Sequence, residues 1–107
     1  MQKLTSSDEF SDLVSKQDGT KIFLLKHSTR CPISTRAMDE FQAFANANED
    51  VYCAWIDVIE HRDVSDHVAH ETQVQHESPQ VFVLSGKDVL FHTSHHEITQ
   101  EVLEEQK

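Results

Sequence analysis

Hydrophobic residues occur along this chain in short runs, which are separated by longer polar stretches with apolar residues at helical spacing. Four such runs are present, at residues 22–25, 51–59, 81–84 and 89–91. Short apolar runs are typical of buried β-strands, whereas apolar residues every three or four positions are typical of amphipathic helices. The pattern therefore predicts a folded domain in which strands and helices alternate.

Four helices are predicted from apolar spacing together with capping, proline and stop signals. They are placed near residues 7–16, from Pro32 to about Ala45, over residues 62–73, and after either Ser94 or Thr99. The first helix starts at the capping-box pattern Ser6-x-x-Glu9 and is expected to end at Asp18-Gly19.

Four strands are predicted between these helices, at residues 21–27, 51–57, 80–84 and 89–93. The last two flank a short turn, so we expect them to be antiparallel neighbours. The order αβαβαββα gives an α/β fold with a four-stranded mixed sheet flanked by helices. This order is the minimal thioredoxin-like layout, although other small α/β folds share parts of it.

Length and charge limit the classes of protein that remain. A chain of 107 residues is expected to form one domain, residues 1–107. Its 9 Lys+Arg against 19 Asp+Glu argue against nucleic-acid binding, because phosphates require a surplus of cations. No apolar run approaches the ~20 residues of a membrane span, and no signal-peptide pattern begins the chain. We therefore expect a cytoplasmic protein without nucleic-acid or membrane partners.

The strongest chemical signal is Cys31, which follows a buried strand and opens a helix at Pro32. Backbone N–H groups and the positive end of the helix dipole would face its sulfur and favour the reactive thiolate. Ser34 lies three residues on, where its N–H or hydroxyl could reach the sulfur. Between residues 19 and 38 the chain has no acidic residue and four of its nine cations, so the surroundings of the thiol are positive.

A second signal is Ser78-Pro79, at the entry to the third predicted strand. Thioredoxin-like domains hold a cis proline at this place beside the active cysteine, and we expect a cis bond here. The backbone before Pro79 would then pair with an extended peptide or thiol ligand. His76 precedes this loop, and it either approaches Cys31 as a proton donor or positive neighbour or packs the loop.

Three blocks of sequence carry a family resemblance: Lys26-His-Ser-Thr-Arg-Cys-Pro-Ile-Ser34, His76-Glu-Ser-Pro-Gln80, and Ser94-His95 followed by Ile98-Thr99. Together they resemble the monothiol bacilliredoxins of low-GC Gram-positive bacteria. The resemblance implies a thioredoxin-like enzyme that removes bacillithiol from S-bacillithiolated client proteins. It also implies Cys31 as the nucleophile, Pro79 as the cis proline, and Ser34 in the place of the second cysteine of dithiol relatives.

The implied reaction needs no bound cofactor and uses bacillithiol as a co-substrate. Cys31 would accept bacillithiol as a mixed disulfide, and bacillithiol or another thiol would then regenerate it, because Ser34 offers no second thiol. Since bacillithiol carries carboxylates, the substrate-binding candidates are cations and loop residues near Cys31. They are Lys26, Arg30, Pro32, Arg36, His76 and Ser78.

The sequence around Cys53 and around the histidines does not point to one function. Cys53 is either an apolar core residue or a resolving thiol, and the second role requires Cα atoms within about 7 Å of each other. It lies roughly 13 Å back from the end of its strand, at about 3.3 Å per residue, which favours the core role. The eight histidines show no established ligand spacing, so we expect no metal site.

Two other functions are compatible with these residues. A redox-sensing adaptor would bind a partner through Cys31 without turnover. A glutaredoxin-like carrier of an iron–sulfur cluster is the other alternative, although such carriers have a glycine-phenylalanine-serine tail after the cysteine. Here Pro32-Ile33-Ser34 follow it instead.

Overall fold

The computed structural model describes residues 1–16 and 19–107, so the stop signal predicted at Asp18 lies outside the described residues. The elements within these ranges are β1 (Gln2–Lys3), α1 (Ser7–Lys16), β2 (Lys21–His27), α2 (Pro32–Ala47), β3 (Tyr52–Asp57), α3 (Arg62–Thr72), β4 (Gln80–Ser85), β5 (Asp88–Ser94) and α4 (Gln100–Glu105). A 3-10 turn, His95–Glu97, precedes α4. None of the helices in the described ranges is long and apolar enough to cross a membrane.

The described strands form one mixed sheet in the order β1-β3-β2-β4-β5. The first three strands in that order are parallel, whereas β4 is antiparallel to β2 and β5 is antiparallel to β4. The predicted α/β class and the flanking helices are confirmed, but the sheet has five strands rather than four. The additional strand, β1, pairs with Ala54 and Trp55 of β3. It is only two residues long and both are polar, so the sequence has no apolar run that would predict it.

A hydrophobic core lies on each face of the sheet, because successive strand side chains point to opposite faces. Ile22 and Leu24 of β2 pack in the core that includes α1 and α3 residues, whereas Phe23 and Leu25 pack with α2 and α4 residues. All four side chains are fully buried. The central strand therefore has no apolar–polar alternation, as expected of a strand covered on both faces.

Polar side chains define the start of the first and last helices. The N–H of Glu9 donates to Ser6 Oγ at 3.1 Å, which confirms the predicted cap of α1. Of the two caps considered for the last helix, Thr99 is the one used, because its Oγ1 accepts the Val102 N–H at 3.1 Å. Ser94 precedes the 3-10 turn and makes no side-chain cap hydrogen bond there.

The segments that contain Cys31 and Ser78-Pro79 lie at the same end of the sheet. β2 and β3 both end there, with His27 opposite Asp57, and β4 begins there, with Gln80 opposite Lys26. Cys31 follows β2 by four residues, and Pro79 immediately precedes β4. Because β4 runs antiparallel to β2, the start of β4 lies at the same end of the sheet as the end of β2. The segments that contain Cys31 and Pro79 therefore lie at this end.

Candidate functional site

Cys31 occupies the N-cap position of the 16-residue helix α2, with an extended backbone (φ −112°, ψ 122°). Its carbonyl accepts the Thr35 N–H at 3.0 Å, and Pro32 takes the first helical position as predicted. Its side chain makes no cap hydrogen bond to any residue that the structure describes, and the residue is partly exposed. The thiol is therefore accessible at the positive end of a long helix.

Two of the predicted substrate-binding cations, Arg30 and Arg36, are exposed on the surface. Arg30 directly precedes Cys31 and is exposed, and Arg36 is exposed one turn into α2. Pro32 and Ile33, which follow Cys31 in the chain, are also exposed. The first turn of α2 carries no acidic side chain.

Ser34 is fully buried, and its hydroxyl has hydrogen-bond partners other than the Cys31 sulfur that was expected from the sequence. Its Oγ accepts the Ser28 N–H at 2.8 Å and makes a 2.7 Å hydrogen bond with His27 Nδ1. Of the two Ser34 groups expected to reach the Cys31 sulfur, the hydroxyl makes its hydrogen bonds to other residues, and a contact from the N–H stays a prediction. Ser34 instead ties the end of β2 to the first turn of α2.

His27 is a site residue that the sequence analysis missed. It is only 7% exposed, and its ring packs edge-on against Trp55 at a centroid distance of 5.8 Å. Burial lowers the pKa of His27, although the Asp57 carboxylate opposes this effect. The ring is thus neutral near pH 7, and its Nδ1 can accept the Ser34 hydroxyl proton. The available signal was its position in β2, two residues after Leu25 on the same buried face.

Lys26 does not lie where a ligand could reach it. Its side chain is fully buried, and its Nζ donates to the Ser65 carbonyl at 3.0 Å and lies 3.2 Å from His76 Nδ1. Burial lowers the pKa of Lys26 to about 8, and the nearby Asp66 carboxylate opposes this effect. The prediction that Lys26 is a surface cation for substrate carboxylates is corrected, because alternation along β2 directs it inward toward α3.

His76 belongs to the same cluster as Lys26. Its Nδ1 is 3.2 Å from both Lys26 Nζ and Ser65 Oγ. Burial, followed by the charge of Lys26, lowers the pKa of His76. These contacts support the interpretation of His76 as a residue that packs the loop before Pro79 rather than one that serves Cys31 directly.

The Ser78-Pro79 peptide bond is cis, as expected from the sequence. Pro79 is buried, and its carbonyl accepts the His95 N–H at 3.0 Å. The Ser78 hydroxyl oxygen is buried and has no hydrogen-bond partner among the residues that the structure describes. An unpartnered buried hydroxyl is uncommon, and it lies on the loop that the sequence analysis assigned to ligand binding.

The loop before β4 is also held from within by Gln80. The buried Gln80 amide accepts the Glu77 N–H at 3.3 Å and donates to the Gln75 carbonyl at 3.0 Å. Gln80 is in turn the register partner of Lys26 on β2. The loop at residues 75–79 is therefore anchored by two side chains that face each other across the β2–β4 pair.

Cys53 lies in the core rather than at the site. It is 5% exposed, and burial raises the pKa of its thiol to about 11. Its register partner on β2 is Phe23, four residues before His27, so it lies well back from the end of the sheet that carries Cys31. These features support the core interpretation over the resolving thiol.

The histidines are distributed over several elements. His67 packs edge-on against Phe10 at 5.9 Å, and His95 Nε2 lies 3.4 Å from a Glu77 carboxylate oxygen. Within residues 1–16 and 19–107, no three His, Cys, Asp or Glu side chains are grouped so that they could hold a metal ion.

Comparisons with known proteins agree with the fold and identify the family. A family model described as "Monothiol bacilliredoxin BrxC" matches residues 2–103. A solved protein described as a candidate oxidoreductase with a thioredoxin fold is 35% identical, with a TM-score of 0.89 over 97% of this chain and 90% of that one.

Two solved thioredoxins are similar in fold at lower identity. Fasciola hepatica thioredoxin is 17% identical, with a TM-score of 0.79 over 99% of this chain and 95% of that one. Mitochondrial thioredoxin 3 of Saccharomyces cerevisiae is 22% identical, with a TM-score of 0.76 over 99% and 92%. The predicted thioredoxin-like fold is therefore confirmed.

The hydrogen bonds of Ser34 predict a loss of stability when its hydroxyl is removed. Ser34→Ala leaves the buried His27 Nδ1 and the partly buried Ser28 N–H without their partner, so we expect the free energy of unfolding to fall by about 2 kcal/mol in urea titrations. The matched control is Thr35→Ala, one residue on, whose exposed hydroxyl donates only to the Cys31 carbonyl at 3.2 Å. Equal losses in the two variants would contradict this assignment.

The environments of the two cysteines predict selective alkylation. At about pH 7.5, iodoacetamide is expected to label Cys31 in the folded protein and to leave Cys53 unlabelled, because a buried thiol with a raised pKa remains protonated. The Cys31→Ala variant should stay unlabelled until it is denatured, whereas Cys53→Ala should label like the wild type. Intact-mass spectra that show two labels appearing at similar rates would disprove the buried assignment.

Proposed function

Since this chain belongs to the family of monothiol bacilliredoxins, we propose that it removes bacillithiol from S-bacillithiolated client proteins. Family and fold make it a thiol redox protein of the thioredoxin type. The observation that carries the finer proposal is Cys31 itself, an accessible thiol at the N-terminus of α2 with a serine in place of a second cysteine. A helix N-terminus stabilises the thiolate, which is the attacking species in disulfide exchange.

The proposed reaction is a balanced exchange of one disulfide for another. The Cys31 thiolate attacks the bacillithiol sulfur of the client's mixed disulfide, so that a new S–S bond forms as the old one breaks. The client cysteine leaves as a thiolate and takes a proton from solvent. A second thiol, either bacillithiol or another small thiol, then attacks the Cys31 mixed disulfide and releases the free enzyme as a new disulfide forms.

The arrangement around Ser34 supports a monothiol mechanism. Ser34 holds the place of a second cysteine, and its hydroxyl is engaged with His27 and Ser28. Cys53 is buried on the far part of β3 with a raised pKa. Neither residue offers a second thiolate beside Cys31, so the mixed disulfide persists until an external thiol arrives.

The surface beside Cys31 suits both parts of the substrate. Arg30 and Arg36 are exposed cations that can pair with the carboxylates of bacillithiol, and arginine binds carboxylates in a bidentate manner. The exposed Pro32 and Ile33, together with the backbone of Ser78, offer apolar and hydrogen-bonding contacts to a client segment. No bound cofactor takes part in this reaction, in which bacillithiol is a co-substrate.

Transfer of bacillithiol is tested directly by intact-mass analysis. Reduced wild-type protein mixed with a bacillithiolated client should gain the mass of one bacillithiol on Cys31, while the client loses the same mass. Cys31→Ala should gain none, because its nucleophile is absent. The adduct on the wild type should persist until bacillithiol is added, because Ser34 cannot resolve it.

The same experiment distinguishes the adaptor from the enzyme. A client that stays modified in the presence of wild-type protein would disprove the proposed function. Transfer that stops after one equivalent, even with excess bacillithiol as the recycling thiol, would favour an adaptor without turnover.

The exposed cations predict a change in substrate affinity. Arg30→Gln is expected to raise KM for a bacillithiolated client about threefold to tenfold with little change in kcat, because it removes a charged contact at an exposed position. The matched control is Lys87→Gln, since Lys87 is exposed at the β4–β5 turn at the opposite end of the sheet. Equal KM values for the two variants would exclude Arg30 from binding.

A further inference from the structure

Lys26 is a buried cation that takes no part in the steps of the proposed reaction. It is fully buried near the end of β2, and its Nζ lies 5.7 Å from the centre of the Phe82 ring. Burying an ammonium group carries a desolvation cost, and an apolar side chain of the same length would often serve packing as well or better. The contacts of the Lys26 ammonium group therefore indicate which parts of the structure its charge stabilises.

The Lys26 ammonium group joins three separate elements. It donates to the Ser65 carbonyl on α3 at 3.0 Å and lies 3.2 Å from His76 Nδ1 in the loop before β4. Ser65 Oγ lies 3.2 Å from the same nitrogen of His76, so the contact closes into a triangle. Further charged groups influence this cluster, namely Asp66 and Arg62 on α3 and Glu77 in the loop.

The loop that receives these contacts is the one that ends in Ser78-Pro79. His76 lies two residues before Ser78, and Glu77 between them donates its N–H to Gln80. Gln80 and Lys26 are the two residues that hold this loop, and they are direct neighbours in the β2–β4 register. A change at Lys26 is thus transmitted to the backbone of Ser78 through only two residues.

We propose that Lys26 is a positioning residue for the exchange reaction, which holds the loop at residues 75–79 through His76 so that the Ser78 backbone is fixed for the client. This inference rests on the proposed function, because the client is what the loop receives. Lys26 does not touch the substrate, and it acts on the opposite face of β2 from His27 and Ser34. Its loss should therefore weaken client binding and leave the Cys31 thiol intact.

The test compares two lysines of the same strand. Lys26→Met keeps the length and apolar stem of the side chain and removes the charge. Lys21→Met is the matched control, because Lys21 begins β2 at the opposite end and its Nζ also donates to a backbone carbonyl, that of Gln106, at 2.9 Å. We expect Lys26→Met to raise KM for a bacillithiolated client about tenfold while kcat and the rate of Cys31 alkylation stay within about twofold of wild type. Lys21→Met should change none of these values by more than about twofold.

A second variant keeps the test decisive if Lys26→Met folds poorly. His76→Ala changes a residue that is exposed apart from its ring contacts with Lys26 and Ser65, and it should raise KM to a similar extent because it removes the same link. The double variant should be no worse than either single variant within about twofold, since both changes break one contact. A KM near the wild-type value in the single variants, or effects that multiply in the double variant, would overturn the proposal.

Amide hydrogen exchange separates this inference from the proposed function. Exchange at the amides of residues 75–78 should be at least about fivefold faster in Lys26→Met than in the wild type or in Lys21→Met. Unchanged exchange would overturn the anchoring role even if bacillithiol transfer is confirmed. Faster exchange in a protein that transfers no bacillithiol would leave the loop anchor standing and overturn the function that it was proposed to serve.

Discussion

The burial of β2 on both faces is the constraint on which the arrangement of this molecule depends. Every residue from Ile22 to His27 is buried, because the strand lies in the middle of the sheet with helices on either side. Successive side chains must point to opposite faces, and this holds for the last two residues as well. Lys26 and His27 are therefore forced into the two different cores at the end of the sheet where the chain turns toward Cys31.

Buried polar groups need partners, and this requirement organises the site. His27 finds its partner in Ser34, which fixes the connection between β2 and α2 and hence the location of Cys31. Lys26 finds its partners in Ser65 and His76, which fix the loop that leads to β4. Two neighbouring residues of one strand thus hold the two segments that the proposed exchange reaction brings together, one from each face of the sheet.

The sequence predicted the elements well because their signals are local, and it failed where burial depends on tertiary contacts. The apolar runs and the Cys31-Pro32 helix start are properties of short segments, and the structure reproduces them within a few residues. β1 has too few residues to show a pattern. Lys26 was predicted to bind substrate carboxylates because it is a cation near Cys31 in the sequence, yet its place in the alternation of β2 directs it inward. That alternation, applied to polar as well as apolar residues, is the signal that would have found both Lys26 and His27.

The difference between the two cysteines follows from the same sheet. Cys53 lies in the interior of a strand, where burial raises the pKa of its thiol, whereas Cys31 is partly exposed beyond the end of β2, at the N-terminus of α2. Ser34 adds a second reason for a single reactive thiol. Its hydroxyl both accepts from the Ser28 N–H and bonds His27, and a thiol, as a weak donor and acceptor, would satisfy these buried groups poorly. A serine at this position therefore stabilises the connection that presents Cys31, and in the proposed reaction the mixed disulfide of Cys31 would be reduced by a thiol from outside the chain.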